Sequence, residues 1–313
     1  MSLIHNDQPW ILHRADPYVL RADDGWFYFL ATVPAYDQIC IRRAATLGGL
    51  PDAPETVLWR QHDSGPMSCH IWAPEMHRLN GQWYIYFAAG EREDPWRIRP
   101  YALVCKGADP MTDLWQECGM LQAAADDPFS FTDFSLDATV FSVHDRQYIV
   151  WAEKVSVGRK ISNLYIAEME TPTRLKTAQV LLSTPDYAWE RQGFWVNEGP
   201  AMLKHGDRLL LTFSASETST AYCVGMLSAH ADADLLDPAS WTKHRNPVLA
   251  TDSTRSVYGP GHNCFTRDEQ GRDVIVYHAR SYKDIVGDPL DDPNRHARLH
   301  VITWSPDGWP QFS

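Results

Sequence analysis

A period of about 61 residues runs through this chain, and it narrows the choice of fold more than any other feature. Five stretches share one pattern: "ADPYVLRADDGWFYFLAT" (15–32), "PEMHRLNGQWYIYFAAG" (74–90), "LDATVFSVHDRQYIVWAE" (136–153), "NEGPAMLKHGDRLLLTFSAS" (197–216) and "GHNCFTRDEQGRDVIVYHAR" (261–280). Each sets a polar residue before a short apolar strand. A turn rich in Asp, Gly, Asn or His follows, then a longer strand heavy in Trp, Tyr, Val, Ile and Leu. That is a β-hairpin, repeated five times. The lead residues are Asp16, Glu75, Asp137, Glu198 and His262, at intervals of 59, 62, 61 and 64 residues. A repeat of this size, built of strands and turns with little 3.6-residue periodicity, suits the four-stranded blade of a β-propeller better than a helical solenoid or a βαβ fold. Five such blades use nearly all of the 313 residues. The expected fold is therefore all-β: a five-bladed β-propeller forming a single domain over residues 1–313.

Third strands are expected at 38–44, 99–107, 162–170 and 221–229, with a weaker outer strand at 55–60. The runs "GEREDPWRIRP" and "ARSYKDIVGDPLDDPNRHARLH" are expected to be loops within the repeat. At 44% hydrophobic residues the chain can bury a sizeable core. Its formal charge of -12 repels phosphate backbones and anionic lipid, which argues against nucleic acid and membrane partners. The six cysteines show neither a CxxC pair nor zinc-ligand spacing, and the opening residues lack a basic stretch followed by an apolar one. Both features point to a cytoplasmic protein with reduced thiols.

The innermost strand of each propeller blade lines the central channel, so lead residues far apart in sequence converge on one ring. A single acid at a strand start usually caps a hydrogen bond. Four carboxylates converging on one funnel would repel one another unless some were protonated or bonded, which favours a working site. Two carboxyls flanking a sugar ring are what glycosidic cleavage needs. Glu198, between "FWV" and "GPAML", has the more apolar setting and is expected to be the general acid with a raised pKa. Asp16 follows basic residues that favour its ionised form and is the better general base. Asp137 is expected between them, holding the acid's proton by charge and hydrogen bonding.

On the motifs "RADPYVL", "HIWAPEM", "FSLDATVF", "WVNEGPAML" and "YGPGHNCF", the chain resembles the family 43 glycoside hydrolases over its whole length. The added runs "FTDFSLDATVF" and "GDPLDDPNRHAR" make it most similar to the exo-acting α-L-arabinofuranosidases of that family. The resemblance implies an inverting mechanism with Asp16 as general base, Asp137 as pKa modulator and Glu198 as general acid. Glu75 has no catalytic counterpart and is read as a hydrogen-bonded wall residue. The resemblance further implies Trp72 in the pocket, Arg280 on the sugar hydroxyls and His262 in the central channel. It requires no organic cofactor, but allows a calcium or sodium ion beside His262. Phe194 and Trp195 are candidate platforms for a sugar face.

The expected partner is an arabinose-containing oligosaccharide or polysaccharide. Inversion calls for about 6.5 to 9.5 Å between the carboxyls of Asp16 and Glu198, leaving room for a water. Other readings are a β-xylosidase on the same scaffold, a sugar-binding propeller without catalysis and a protein-interaction propeller. The three acids argue against the last two.

Overall fold

The structure, a computed structural model, describes residues 8–157 and 159–312. Its strands fall into five antiparallel groups that follow the chain, the third and fourth joined into one sheet by a parallel pairing of Ile161 and Ser162 with Trp195 and Val196. Blade I comprises β1 (Ala15–Arg21), β2 (Phe27–Thr32), β3 (Gln38–Ala44) and β4 (Thr56–Arg60). Blade II comprises β5 (Cys69–Leu79), β6 (Gln82–Glu91), β7 (Asp94–Cys105) and β8 (Trp115–Met120). Blade III is built from β9 (Ser135–Val143), β10 (Arg146–Val157) and β11 (Arg159–Thr171), with the short β12 (Arg174–Leu175) and β13 (Val180–Ser183) on its edge. Blade IV comprises β14 (Trp195–His205), β15 (Arg208–Ala215), β16 (Cys223–His230) and β17 (Thr242–Lys243). Blade V comprises β18 (Tyr258–Arg267), β19 (Asp273–Arg280) and β20 (His296–Val301), followed by a hairpin of β21 (Thr303–Trp304) and β22 (Pro310–Gln311).

The five inner strands close a ring: β1 packs on β5, β5 on β9, β9 on β14, β14 on β18, and β18 on β1. Blade V takes its outermost pairing from the start of the described chain. Ile11 bridges Ala297, whose carbonyl accepts the N–H groups of Trp10 at 2.7 Å and Ile11 at 3.2 Å. The fold is the five-bladed β-propeller that the repeat predicts.

Each blade is buried on both faces, so its inner strands are apolar at consecutive positions rather than at alternate ones. In β15, Leu209, Leu211 and Phe213 join the core shared with blade III, while Leu210 joins the core shared with blade V. The remaining interfaces follow suit. Tyr28 and Leu30 meet Ile85 and Phe87 between blades I and II, Tyr86 meets Ile149 and Trp151 between II and III, and Phe27 and Phe29 meet Val274 and Val276 between I and V. Tight turns set the hairpin registers. At Asn80-Gly81, with φ of 52° and 80°, both central residues take the left-handed conformation that a two-residue hairpin turn needs.

Every inner strand breaks register, β5 and β18 twice, and one break in each strand holds a left-handed residue at Asp16 (φ 51°), Ala73 (48°), Asp137 (56°), Gly199 (53°) or His262 (44°). These β-bulges turn a side chain out of the ladder and towards the channel. They also correct the phase of the repeat. Asp16, Asp137 and His262 occupy equivalent positions, but Glu75 stands two residues beyond its bulge at Ala73, and Glu198 one residue ahead of its bulge at Gly199.

Two further expectations change. "GEREDPWRIRP" is not a loop, because Glu91 pairs with Asp94 and the β6–β7 hairpin runs through it as an exposed arm. The run from 279 is irregular only from 281 to 295, between the end of β19 at Arg280 and the start of β20 at His296.

Candidate active site

The bulges of blades I, III and V deliver Asp16, Asp137 and His262 to one point, and Glu198 joins them from blade IV. Together with Trp72, these residues line a cavity of about 810 Å³ at one end of the channel. Phe194 and Trp195 stand on its wall; Phe194 is 67% exposed, and the guanidinium of Arg191 lies 4.6 Å over the Trp195 ring. Trp72 is buried, stacked on His70 at 4.6 Å and met edge-on by Tyr36 at 5.7 Å.

Asp16 is held on every side. Its Oδ2 accepts the Thr32 hydroxyl at 2.6 Å, and Thr32 Oγ1 in turn accepts the Ala73 N–H at 2.8 Å, which fastens the bulge of blade I to that of blade II. The Asp16 N–H donates to Nδ1 of His278 at 3.0 Å. Oδ1 faces His262 Nδ1 at 3.3 Å, His278 Nδ1 at 3.3 Å and an Arg295 nitrogen at 3.7 Å. Burial opposes the charge of Asp16, but the charges of His262 and Arg295 overcome it and hold the carboxyl well below the usual range.

The other two acids respond in the opposite direction. Burial, reinforced by the charges of Glu198 and Asp16, pushes Asp137 up to about 8 against the attraction of His262. Burial likewise raises Glu198, although a hydrogen bond from Tyr222 and the charges of His262 and Lys154 work against it. Asp137 and Glu198 thus compete for one proton and titrate as a pair. Their backbones are linked, since the N–H of Gly199, next to Glu198, donates to Asp137 Oδ2 at 3.0 Å. His262 Nδ1 lies 3.8 Å from that same Oδ2. Burial lowers its pKa, but Asp137, Asp16 and Glu198 outweigh burial and raise it, so the ring is an imidazolium among carboxylates. His278, kept neutral by burial with a pKa of about 4, can accept the Asp16 N–H.

Calcium takes six to eight oxygen ligands. Among the described residues no group of three His, Cys, Asp or Glu side chains is arranged to hold a metal ion, and His262 turns Nδ1 to Asp16 and Asp137.

Arg280 is not where the resemblance puts it. It is 1% exposed behind the cavity wall, and its guanidinium donates to the Asp292 carboxylate at 3.1 Å and to the carbonyls of Thr218 at 2.8 Å and Pro289 at 2.6 Å. It is a strut for the 288–292 loop, and Arg295 is the arginine that reaches the cavity. Sequence reasoning also missed Tyr222, Phe134 and Trp96, all of which line the cavity. Trp96 rides on the β6–β7 arm and stacks on Phe134 at 6.3 Å, and Lys154 Nζ sits 3.5 Å from the Phe134 ring. Glu75 accepts from His77 Nε2 at 2.9 Å and does not line this cavity.

Comparison with known proteins bears on this site. Residues 9–310 match the family model for glycosyl hydrolases family 43. The chain is 49% identical over 300 residues to an extracellular exo-α-(1→5)-L-arabinofuranosidase of Streptomyces avermitilis, covering 96% of this chain and 61% of that one. It is also 49% identical to a protein of the same name from Streptomyces chartreusis, covering 90% of this chain and 85% of that one. The crystal structure of an α-L-arabinofuranosidase from Lactobacillus brevis superimposes with a TM-score of 0.92 at 47% identity, over 98% of this chain and 95% of that one.

Two of these relatives are named extracellular, and that overturns the expectation of a cytoplasmic protein. Unpaired cysteines do not demand a reducing compartment when the fold shelters them. All six are free, four are buried, and burial pushes thiols such as Cys40 up to about 11 and Cys223 up to about 12, which leaves them inert. With the match spanning nearly every described residue and the acids of blades I, III and IV meeting in one cavity, the chain belongs to family 43 of the glycosyl hydrolases.

Proposed function

We propose that this chain is an inverting exo-α-L-arabinofuranosidase that removes terminal arabinofuranose from arabinan or arabinoxylan oligosaccharides, α-1,5 linkages included. The observation that carries this reading is one cavity lined by Asp16, Asp137 and Glu198, in which His262 and Arg295 favour the ionised form of Asp16 while burial favours the protonated forms of Asp137 and Glu198. Pairs of carboxyls driven apart in this way are the mark of acid and base assignments. The names of relatives at 49% identity support the sugar. The chain spans 61% of the Streptomyces avermitilis protein, and the reading concerns the part that it covers.

In the proposed reaction, Asp16 takes a proton from a water whose oxygen forms the new bond to C1. The C1–O bond to the leaving sugar breaks, and Glu198 gives its proton to the departing oxygen. Asp137 does not touch the bond being cut. It fixes the backbone that follows Glu198, through the N–H of Gly199. His262 and Arg295 supply the positive charge that keeps Asp16 a carboxylate after burial.

The test is hydrolysis of 4-nitrophenyl α-L-arabinofuranoside beside 4-nitrophenyl β-D-xylopyranoside and an α-1,5-arabino-oligosaccharide, by the native protein and by Glu198→Gln. The native protein should prefer both arabinosides. The variant should lose about 10²- to 10⁴-fold on the oligosaccharide and markedly less on the aryl glycoside, whose leaving group needs little protonation. Preference for the xyloside would remove the sugar assignment, and equal losses on both arabinosides would remove the acid assignment.

A further inference from the structure

We infer that Tyr222 is a positioning residue that occupies Oε1 of Glu198, so that the proton for the leaving group is carried on Oε2; this rests on the reading of Glu198 as the acid. The Tyr222 hydroxyl lies 2.8 Å from Glu198 Oε1. A hydroxyl carries one hydrogen, and the direction of this bond follows from its neighbours.

The backbone N–H of His262 donates to Ser214 Oγ at 2.6 Å, which commits a lone pair of that oxygen and leaves its hydrogen to be given elsewhere. Ser214 stands opposite Glu198 in the β14–β15 ladder, and its hydroxyl acts on the Tyr222 phenol to lower its pKa against burial. Tyr222 therefore gives its one hydroxyl hydrogen to Glu198 Oε1. Burial and the charges of Glu198 and Asp137 raise the Tyr222 phenol well above its usual range, so it stays a donor throughout the working pH range. An oxygen that accepts this hydrogen is a poor site for the catalytic proton, and Oε2 is the oxygen left for it.

The fold places Tyr222 with little freedom. Its ring is buried and lies parallel to His278, at 5.7 Å and 4°, and His278 is the ring that accepts the Asp16 N–H. One aromatic stack thus sets the acid of blade IV against the base of blade I. Space for it comes from Gly261, where an added Cβ would lie 2.1 Å from the Tyr222 ring. The hydroxyl has a second effect, since donation to Glu198 lowers the pKa of the acid against the burial that raises it.

Tyr222→Phe removes the hydroxyl and keeps the stack. The variant should lose roughly tenfold more activity on an α-1,5-arabino-oligosaccharide than on 2,4-dinitrophenyl α-L-arabinofuranoside, because only the first needs a well-placed proton. Its alkaline limb of kcat against pH should move to higher pH. Replacing Tyr222 with 3,5-difluorotyrosine, a stronger donor of the same shape, should move that limb to lower pH, and this second variant decides the matter if the first does not fold. Equal losses on the two substrates, no loss on either, or limbs that stay in place or move the other way would overturn the proposal. Glu198→Gln, assayed in parallel, separates the two ideas. If it shows the leaving-group dependence and the Tyr222 variants do not, the positioning role fails and the acid assignment stands; if it does not, the acid assignment itself fails.

Discussion

At Asp137 the chain retains a destabilising group. A buried acid whose pKa rises from about 4 when unfolded to about 8 when folded binds its proton more tightly in the folded state, so its contribution to stability falls as pH climbs through that window. Asp137→Asn should therefore raise the melting temperature, by about 2–4 °C or more at pH 8 and by less at pH 5, while activity collapses. A variant that melts lower at pH 8 than the native chain would contradict the assignment. Asp16 has the opposite sign. Its folded pKa is depressed, so its stabilisation is complete above the ordinary carboxylate range and is lost only as pH falls below it. Arg295→Met removes one of the charges that depress it and should move the acidic limb of kcat/KM to higher pH while leaving the alkaline limb in place.

The bulge is the element that makes the site, and part of it was written in the sequence. Asp16, Ala73 and Gly199 each precede a proline, at Pro17, Pro74 and Pro200, and a residue without an N–H is tolerated in a strand where the ladder is interrupted. Those three dipeptides mark the phase of the repeat better than its acidic residues do, which is why Glu75 looked equivalent to Asp16 and is not. Gly199 has a second constraint, because a Cβ there would lie 3.2 Å from the His262 ring at a backbone φ of 53°. Gly199→Ala should cost about 1 kcal/mol in backbone strain alone and lower kcat by shifting Glu198. Native-like kcat together with unchanged stability would show that the bulge tolerates a side chain.

What the sequence concealed lies in the connections. The β6–β7 arm is polar and solvent-facing, lacks an apolar alternation and contains Pro95 and Pro100, so it reads as a loop and its Trp96 goes unnoticed. Arg280 and Arg295 flank one irregular segment, and only its folded path decides which guanidinium faces inward.

Across the whole molecule the repeat is legible because each blade needs the same two-sided apolar strands, and the five interblade cores follow from it. Closure is less visible: Ile11 completes blade V from the far end of the chain, and no local pattern announces a bridge to Ala297. Ile11→Ala should destabilise the protein by about 2–4 kcal/mol, measured by chemical denaturation, through the packing lost where the ring meets itself. Arg280→Ala should cost about 3–5 kcal/mol, since it leaves Asp292 without its buried partner, and should loosen the loop that walls the cavity. The ring matters to the proposed chemistry because it brings Asp16 and Glu198, far apart in sequence, into one cavity. The measurement closest to that arrangement is proton NMR of the anomeric signal during the first turnovers of an α-L-arabinofuranoside. Water activated by Asp16 should release β-L-arabinofuranose first, with the α form appearing only by mutarotation, whereas α-L-arabinofuranose as the initial product would mean a covalent intermediate and roles for these carboxyls other than those assigned.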